Sequence, residues 1–132
     1  MLMRPTSLEI KTSSDSTTLA VASTATVYTK SFPLPYGGSF GVSAKAASSG
    51  TINVKVELEE SYRLPINEGS ADDYWVVPTG ISDVFTSVAN STQLHKALSP
   101  IVMRYGRFKL TGVASNDAST TLTMFLHYQE EI

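Results

Sequence analysis

A chain of 132 residues with no cysteine and a formal charge of −2 is one domain, long enough to bury a core without disulfides or metals. Twelve acidic against ten basic residues leave no cationic excess of the kind that drives nucleic-acid binding, and the missing thiols exclude Cys nucleophiles and Cys-ligated zinc. Ser and Thr supply about a quarter of the chain and charged residues only 17%, a balance that favours pleated, half-buried strands and short turns.

The opening "MLMRPTSLEIKTSSDS" carries no apolar run of the secretion-signal type, and no segment nears the about 20 apolar residues of a membrane span. A protein made in a reducing cytoplasm, with no membrane partner, is the expectation, and the sequon at Asn90 is read as incidental. Residues 1–5 are open to act as a flexible arm. Alternation then recurs from end to end. "TSLEIKT" puts Leu8 and Ile10 on one face, "TTLAVAS" puts Leu19 and Val21 on one face, and "ATVYTKSF" forms the next strand.

"SFGVSAKAAS" turns Phe40, Val42, Ala44 and Ala46 inward. "TINVKVELEE" is the clearest strand, with Ile52, Val54, Val56 and Leu58 opposite Asn53, Lys55, Glu57 and Glu59. "RLPINEGSADDYWVVPTG" is turn-rich and loops out before a short apolar strand at Trp75–Val77. "DVFTSVANSTQLHKALSP" is the one helical candidate, with Phe85, Val88, Leu94 and Leu98 along one side and Pro100 as the stop. At the end, "YGRFKLTGVAS" and "STTLTMFLHYQEE" flank the turn formers Asn116 and Asp117 and read as a long antiparallel hairpin. Gly106 and Gly112 mark bulges or close backbone approach. The fold these elements predict is all-β: an antiparallel β-sandwich, jelly-roll-like, of about seven to nine strands with at most one short helix, spanning residues 1–132.

Chemistry-bearing patterns are few. "RYGRF" has the flavour of an RNA-binding strand, but alternation sets Arg107, Lys109 and Thr111 opposite Phe108 and Leu110, so the basic residues face water and the rings face the core. No second aromatic strand completes a stacking platform. The acidic loop with Glu68, Asp72 and Asp73 could offer oxygen ligands to calcium, yet its spacing matches no EF-hand loop, and a solvated acidic loop is the plainer reading. His95 and His127 form no metal or catalytic motif, so no catalytic residue, cofactor or metal is assigned. Tyr74 and Trp75 are the candidate glycan contacts, weighed against a plug at one end of the sandwich. Surface remains: Phe32, Leu34 and Tyr36 around Pro33 and Pro35, and Phe125 with His127 on the outward side of the last strand, are the candidate protein interface.

Three segments in order carry a resemblance: "SFPLPYGGSFGVSAKAASSGTINVKVELEESYRLP", then "EGSADDYWVVPTG", then "LSPIVMRYGRFKLTGVASNDASTTLTMFLHYQE". Together they resemble the small β-sandwich virion proteins of tailed bacteriophages, in texture and segment order. The resemblance implies a capsid decoration (cement) protein without enzymatic activity. Its partners would be the major capsid protein and further copies of itself, a trimer among the options, and its place the virion. A tail or head–tail component, or a carbohydrate-binding module, is the alternative.

Overall fold

The computed structural model describes residues 3–34, 40–63, 69, 74–77, 83–86, 88, 93–98 and 103–131. Among these residues there are nine strands: β1 (Met3–Glu9), β2 (Leu19–Ala20), β3 (Thr26–Tyr28), β4 (Phe32–Pro33), β5 (Phe40–Ala47), β6 (Val54–Ser61), β7 (Gln93–Leu98), β8 (Tyr105–Gly112) and β9 (Thr121–Glu131). They build two antiparallel sheets packed face to face. The first has the order β1-β9-β5-β7, with β2 also on β9; in the second, β8 is flanked by β6 along one side and by β3 and β4 in turn along the other.

Taking β1 with β2 and β3 with β4, each step along the chain crosses from one sheet to the other, and the first and last strands lie side by side. This is a jelly-roll arrangement of the sandwich. Its fifth place is taken by an irregular stretch on the free edge of β6: the Val56 N–H donates to the Phe85 carbonyl at 2.8 Å, Val88 N–H to Val54 at 3.2 Å, and Glu60 and Val76 exchange bonds of 2.8 and 3.0 Å.

Both faces of the core follow the alternation. Phe40, Val42, Ala44 and Ala46 of β5 and Leu122, Met124 and Leu126 of β9 face Val54, Val56 and Leu58 of β6 and Phe108 and Leu110 of β8. Phe32 joins the two layers, its ring 5.5 Å from Phe108 and 6.4 Å from Phe40.

Three expectations are corrected here. β8 and β9 are not a hairpin: they lie in different sheets, apolar faces opposed across the core. Period-two patterns on either side of a turn are the same whether strands lie side by side or face to face. The turn between them is real, and buried Asn116 fixes it. Its Nδ2 donates to the Val21 carbonyl at 2.7 Å, and its Oδ1 accepts from the Asn53 N–H at 2.9 Å and the Thr120 hydroxyl at 3.1 Å. The helical candidate is likewise absent among the described residues. Val84 and Phe85 bridge to β6, and 93–98 is strand β7 on β5, where pairing outweighs a weak helical pattern of Ser, Thr and Asn. Residues 3–5 of the expected arm are the start of β1, in register with Glu131, Glu130 and Gln129. Leu8 does share the inner side with Ile10, but on the open seam of the sandwich it stays 43% exposed.

The two glycines behave as close-approach positions. A Cβ on Gly112 would fall onto the Ala22 carbonyl, and one on Gly106 would sit 2.9 Å from the Phe32 ring.

Candidate functional site

The two outer faces of the sandwich differ in charge. On the second sheet the outward positions include Lys55, Glu57 and Glu59 of β6 against Thr111, Lys109 and Arg107 of β8. Opposite charges sit directly across the ladder, the pairing that stabilises exposed sheet faces. Lys55 lies 3.7 Å from both Glu57 and Asp83.

Arg107 does not face water as alternation predicts. It is 0% exposed, its Nε donates to Glu59 Oε1 at 2.8 Å, and its guanidinium lies between the Tyr28 ring at 4.0 Å and the Trp75 ring at 4.6 Å. The 74–77 segment, pinned to β6 through the Glu60–Val76 bridge, lays Trp75 over the guanidinium and seals this part of the face.

That arrangement decides between platform and plug. Trp75 is 5% exposed, and its ring face is occupied by Arg107. Tyr74 is 39% exposed, but Arg63 covers its ring at 3.9 Å and Tyr62 abuts it edge-on at 6.0 Å. A sugar-stacking pair needs open ring faces, so the glycan assignment of Trp75 is corrected to a plug. The interface assignment of Phe32 is corrected too, because at 3% exposure its side chain is core. Leu34 is half-buried and packs against that core. Tyr36, and Glu68, Asp72 and Asp73 of the acidic loop, lie outside the described residues. Among the described residues no three His, Cys, Asp or Glu side chains gather as metal ligands.

The outer face of the first sheet is built differently. From β9 it takes Thr121, Thr123, Phe125, His127 and Gln129, and from β5 Gly41, Ser43, Lys45 and Ala47. β1 adds Pro5, Ser7 and Glu9, and β7 adds Gln93, His95 and Ala97. Only Glu9 and Lys45 in this set carry a full charge. Among the described residues no segment lies over it as Trp75 lies over the second sheet.

At its centre, β9 presents Phe125 and His127 outward, as alternation predicts, stacked with ring centroids 6.4 Å apart. The imidazole is tied to strands on both sides: Nδ1 lies 2.7 Å from the Ser7 hydroxyl on β1, and Nε2 2.9 Å from the Ser43 hydroxyl on β5. Each ring nitrogen thus has a hydroxyl within hydrogen-bond distance, and hydroxyl protons turn to suit either role. Beside this ridge the surface sinks. Gly41 and Ala97, in register with each other, have too little side chain to fill the space next to His127, leaving adjoining hollows of about 300 and 230 Å³.

A third feature is the seam between β1 and β4, a cleft of about 230 Å³ walled by Leu8, Ile10, Phe32 and Pro33. A Lys30–Asp15 ion pair of 2.6 Å lies at its rim. The hydrogen bond and charge of Lys30 hold the Asp15 carboxyl below the usual carboxylate range.

The Ser7–His127–Ser43 arrangement was invisible in the sequence, because its members stand 120 and 84 residues apart and meet only through strand pairing. The Arg107–Trp75 stack escaped for the same reason. The sequence matches no protein-family model and no curated protein.

Proposed function

We propose that this chain is a non-enzymatic structural protein of a tailed-bacteriophage virion, a decoration protein that binds the outer capsid lattice and stabilises it. The observation carrying this reading is the contrast between the two sheet faces. One face is charged and covered over Arg107 by Trp75. The other is broad, nearly uncharged and uncovered among the described residues, with an aromatic ridge at its centre. Depletion of charge around aromatic anchors is the compositional mark of a protein interface.

The mechanism is binding alone. A sandwich laid across neighbouring capsid subunits stabilises the lattice by mass action, since separated subunits lack the composite surface. A tail or head–tail position uses the same face at lower copy number. Burial of Trp75 counts against the sugar-binding alternative.

The test is quantitative mass spectrometry of purified particles from the source, counting this chain against the major capsid protein. Near-stoichiometric amounts support decoration, a handful of copies moves the protein to the tail or connector, and absence overturns the virion reading.

A further inference from the structure

We propose that the outer face of the β1-β9-β5-β7 sheet binds a second copy of this chain, with the Phe125–His127 ridge of each copy seated in the Gly41–Ala97 hollow of the other. The inference rests on the reading of this face as a protein interface and names its occupant.

A two-fold interface must be self-complementary: whatever protrudes has to find its recess on the same surface. This face carries both. The ridge is rigid, because His127 is held between the Ser7 and Ser43 hydroxyls at 2.7 and 2.9 Å and Phe125 stacks against it. The recess lies one strand away, where Gly41 and Ala97 leave hollows of about 300 and 230 Å³ bordered by that same imidazole. Knob and hole therefore stand side by side, as reciprocal insertion requires.

Size and charge agree. Four strands of six to eleven residues give a plane of roughly 500 Å² per copy, so a face-to-face pair covers about 1,000 Å² in total, the low end for a specific interface. Among the outward residues whose side chains are described, only Glu9 and Lys45 are charged, so two copies meet there with little repulsion and few ions to dehydrate.

Pairing through the sheet edges is disfavoured by the residues placed there. The Ile10 N–H bonds to the Met124 carbonyl, so by alternation Pro5 on β1 is a position whose missing N–H would point to the free edge. On β7, Lys96 stands in register with inward-facing Val42. An edge proline and an inward-side lysine are two devices that stop strands from adding to a sheet. On this sheet, what remains open to a second copy is the face.

The experiment is sedimentation velocity on the purified full chain over a concentration series, beside two variants. Gly41→Val fills the hollow; a Cβ there has its nearest neighbour at 3.6 Å, an ordinary contact. Phe125→Ala removes the knob. Folding of both is checked by circular dichroism at monomeric dilution, and Lys55→Glu on the other sheet is the control. The expected result is a wild-type dimer whose dissociation constant rises at least tenfold in either variant and is unchanged in the control. A wild-type monomer at every concentration, or a dimer indifferent to both variants, overturns the proposal. In the monomeric case, binding of the same variants to capsid particles separates the two failures. Loss of binding keeps the face as an interface for another protein, whereas wild-type binding overturns the interface reading with it.

Discussion

Replacing Arg107 by Met tests the reading of the sealed face. Met keeps much of the length and apolar packing of the arginine stem between Tyr28 and Trp75 while deleting the charge. The side chains of Arg107 and Glu59 are 1% and 11% exposed, so solvent screens their 2.8 Å contact very little. Removing one partner of such a buried pair leaves the other charge uncompensated and costs about 3–5 kcal/mol. That is a large share of the about 5–15 kcal/mol of a typical domain. The double variant Arg107→Met/Glu59→Leu removes both charges and is expected to recover most of the loss, to within about 1–2 kcal/mol of wild type, because a well-packed apolar pair can replace a buried ion pair at little cost. Urea unfolding followed by circular dichroism and tryptophan fluorescence measures both, and the fluorescence reports this locus alone because Trp75 is the only tryptophan. A single-variant loss under about 1 kcal/mol, the range of exposed ion pairs, would refute the buried-pair reasoning, and so would a double variant no more stable than the single.

Three further outcomes are expected. Phe32→Ala should cost about 3–5 kcal/mol in the same unfolding assay, the range for a core aromatic; a loss within about 0.5 kcal/mol would return Phe32 to the surface. Gly112→Ala, whose Cβ meets the Ala22 backbone, should cost at least about 2 kcal/mol, while Gly41→Ala stays within about 0.5 kcal/mol. Asp117 accepts from the Ser119 hydroxyl and N–H, and these bonds hold its carboxyl below the usual carboxylate range. A carboxyl depressed in the folded state contributes stability above its unfolded value and loses it as pH falls through the folded one. The difference in melting temperature between wild type and Asp117→Ala should therefore be full at neutral pH and shrink below the usual carboxylate range; a gap unchanged in acid would deny the charge any role.

How far the sequence was legible depends on how local each feature is. Strand β6 could be read from its own residues, since Val54, Val56 and Leu58 are core and alternate without interruption. Strand β7 could not: inner-side Leu94 and Leu98 are separated by Lys96, so the edge position that protects the sheet also breaks the pattern that would reveal the strand. Alternation places Arg107 toward water because it names the side of a strand without saying what covers that side. The cover is Trp75, more than thirty residues earlier in the chain. Glu59 enters only through the β6–β8 register. The outward placement of Phe125 and His127 was legible from alternation. The two serines that clamp His127 were not, because Ser7 and Ser43 belong to strands brought together by the jelly-roll order.

The clamp also bears on what kind of partner this face suits. His127 is the one imidazole at the centre of the open sheet, and both its nitrogens are already engaged within the molecule. A sugar or nucleotide gains specificity from polar groups aimed at it, and the central residue here has none to spare without breaking a bond to Ser7 or Ser43. A flat protein surface asks for something else: rigid rings, small neighbours that allow close approach, and few charges to dehydrate. Phe125, the imidazole face of His127, Gly41 and Ala97 supply those. The hydroxyl clamp thus does more than satisfy a half-buried histidine. By occupying both nitrogens it turns a polar side chain into a fixed aromatic plate, and that favours recognition by shape over recognition by hydrogen bonding.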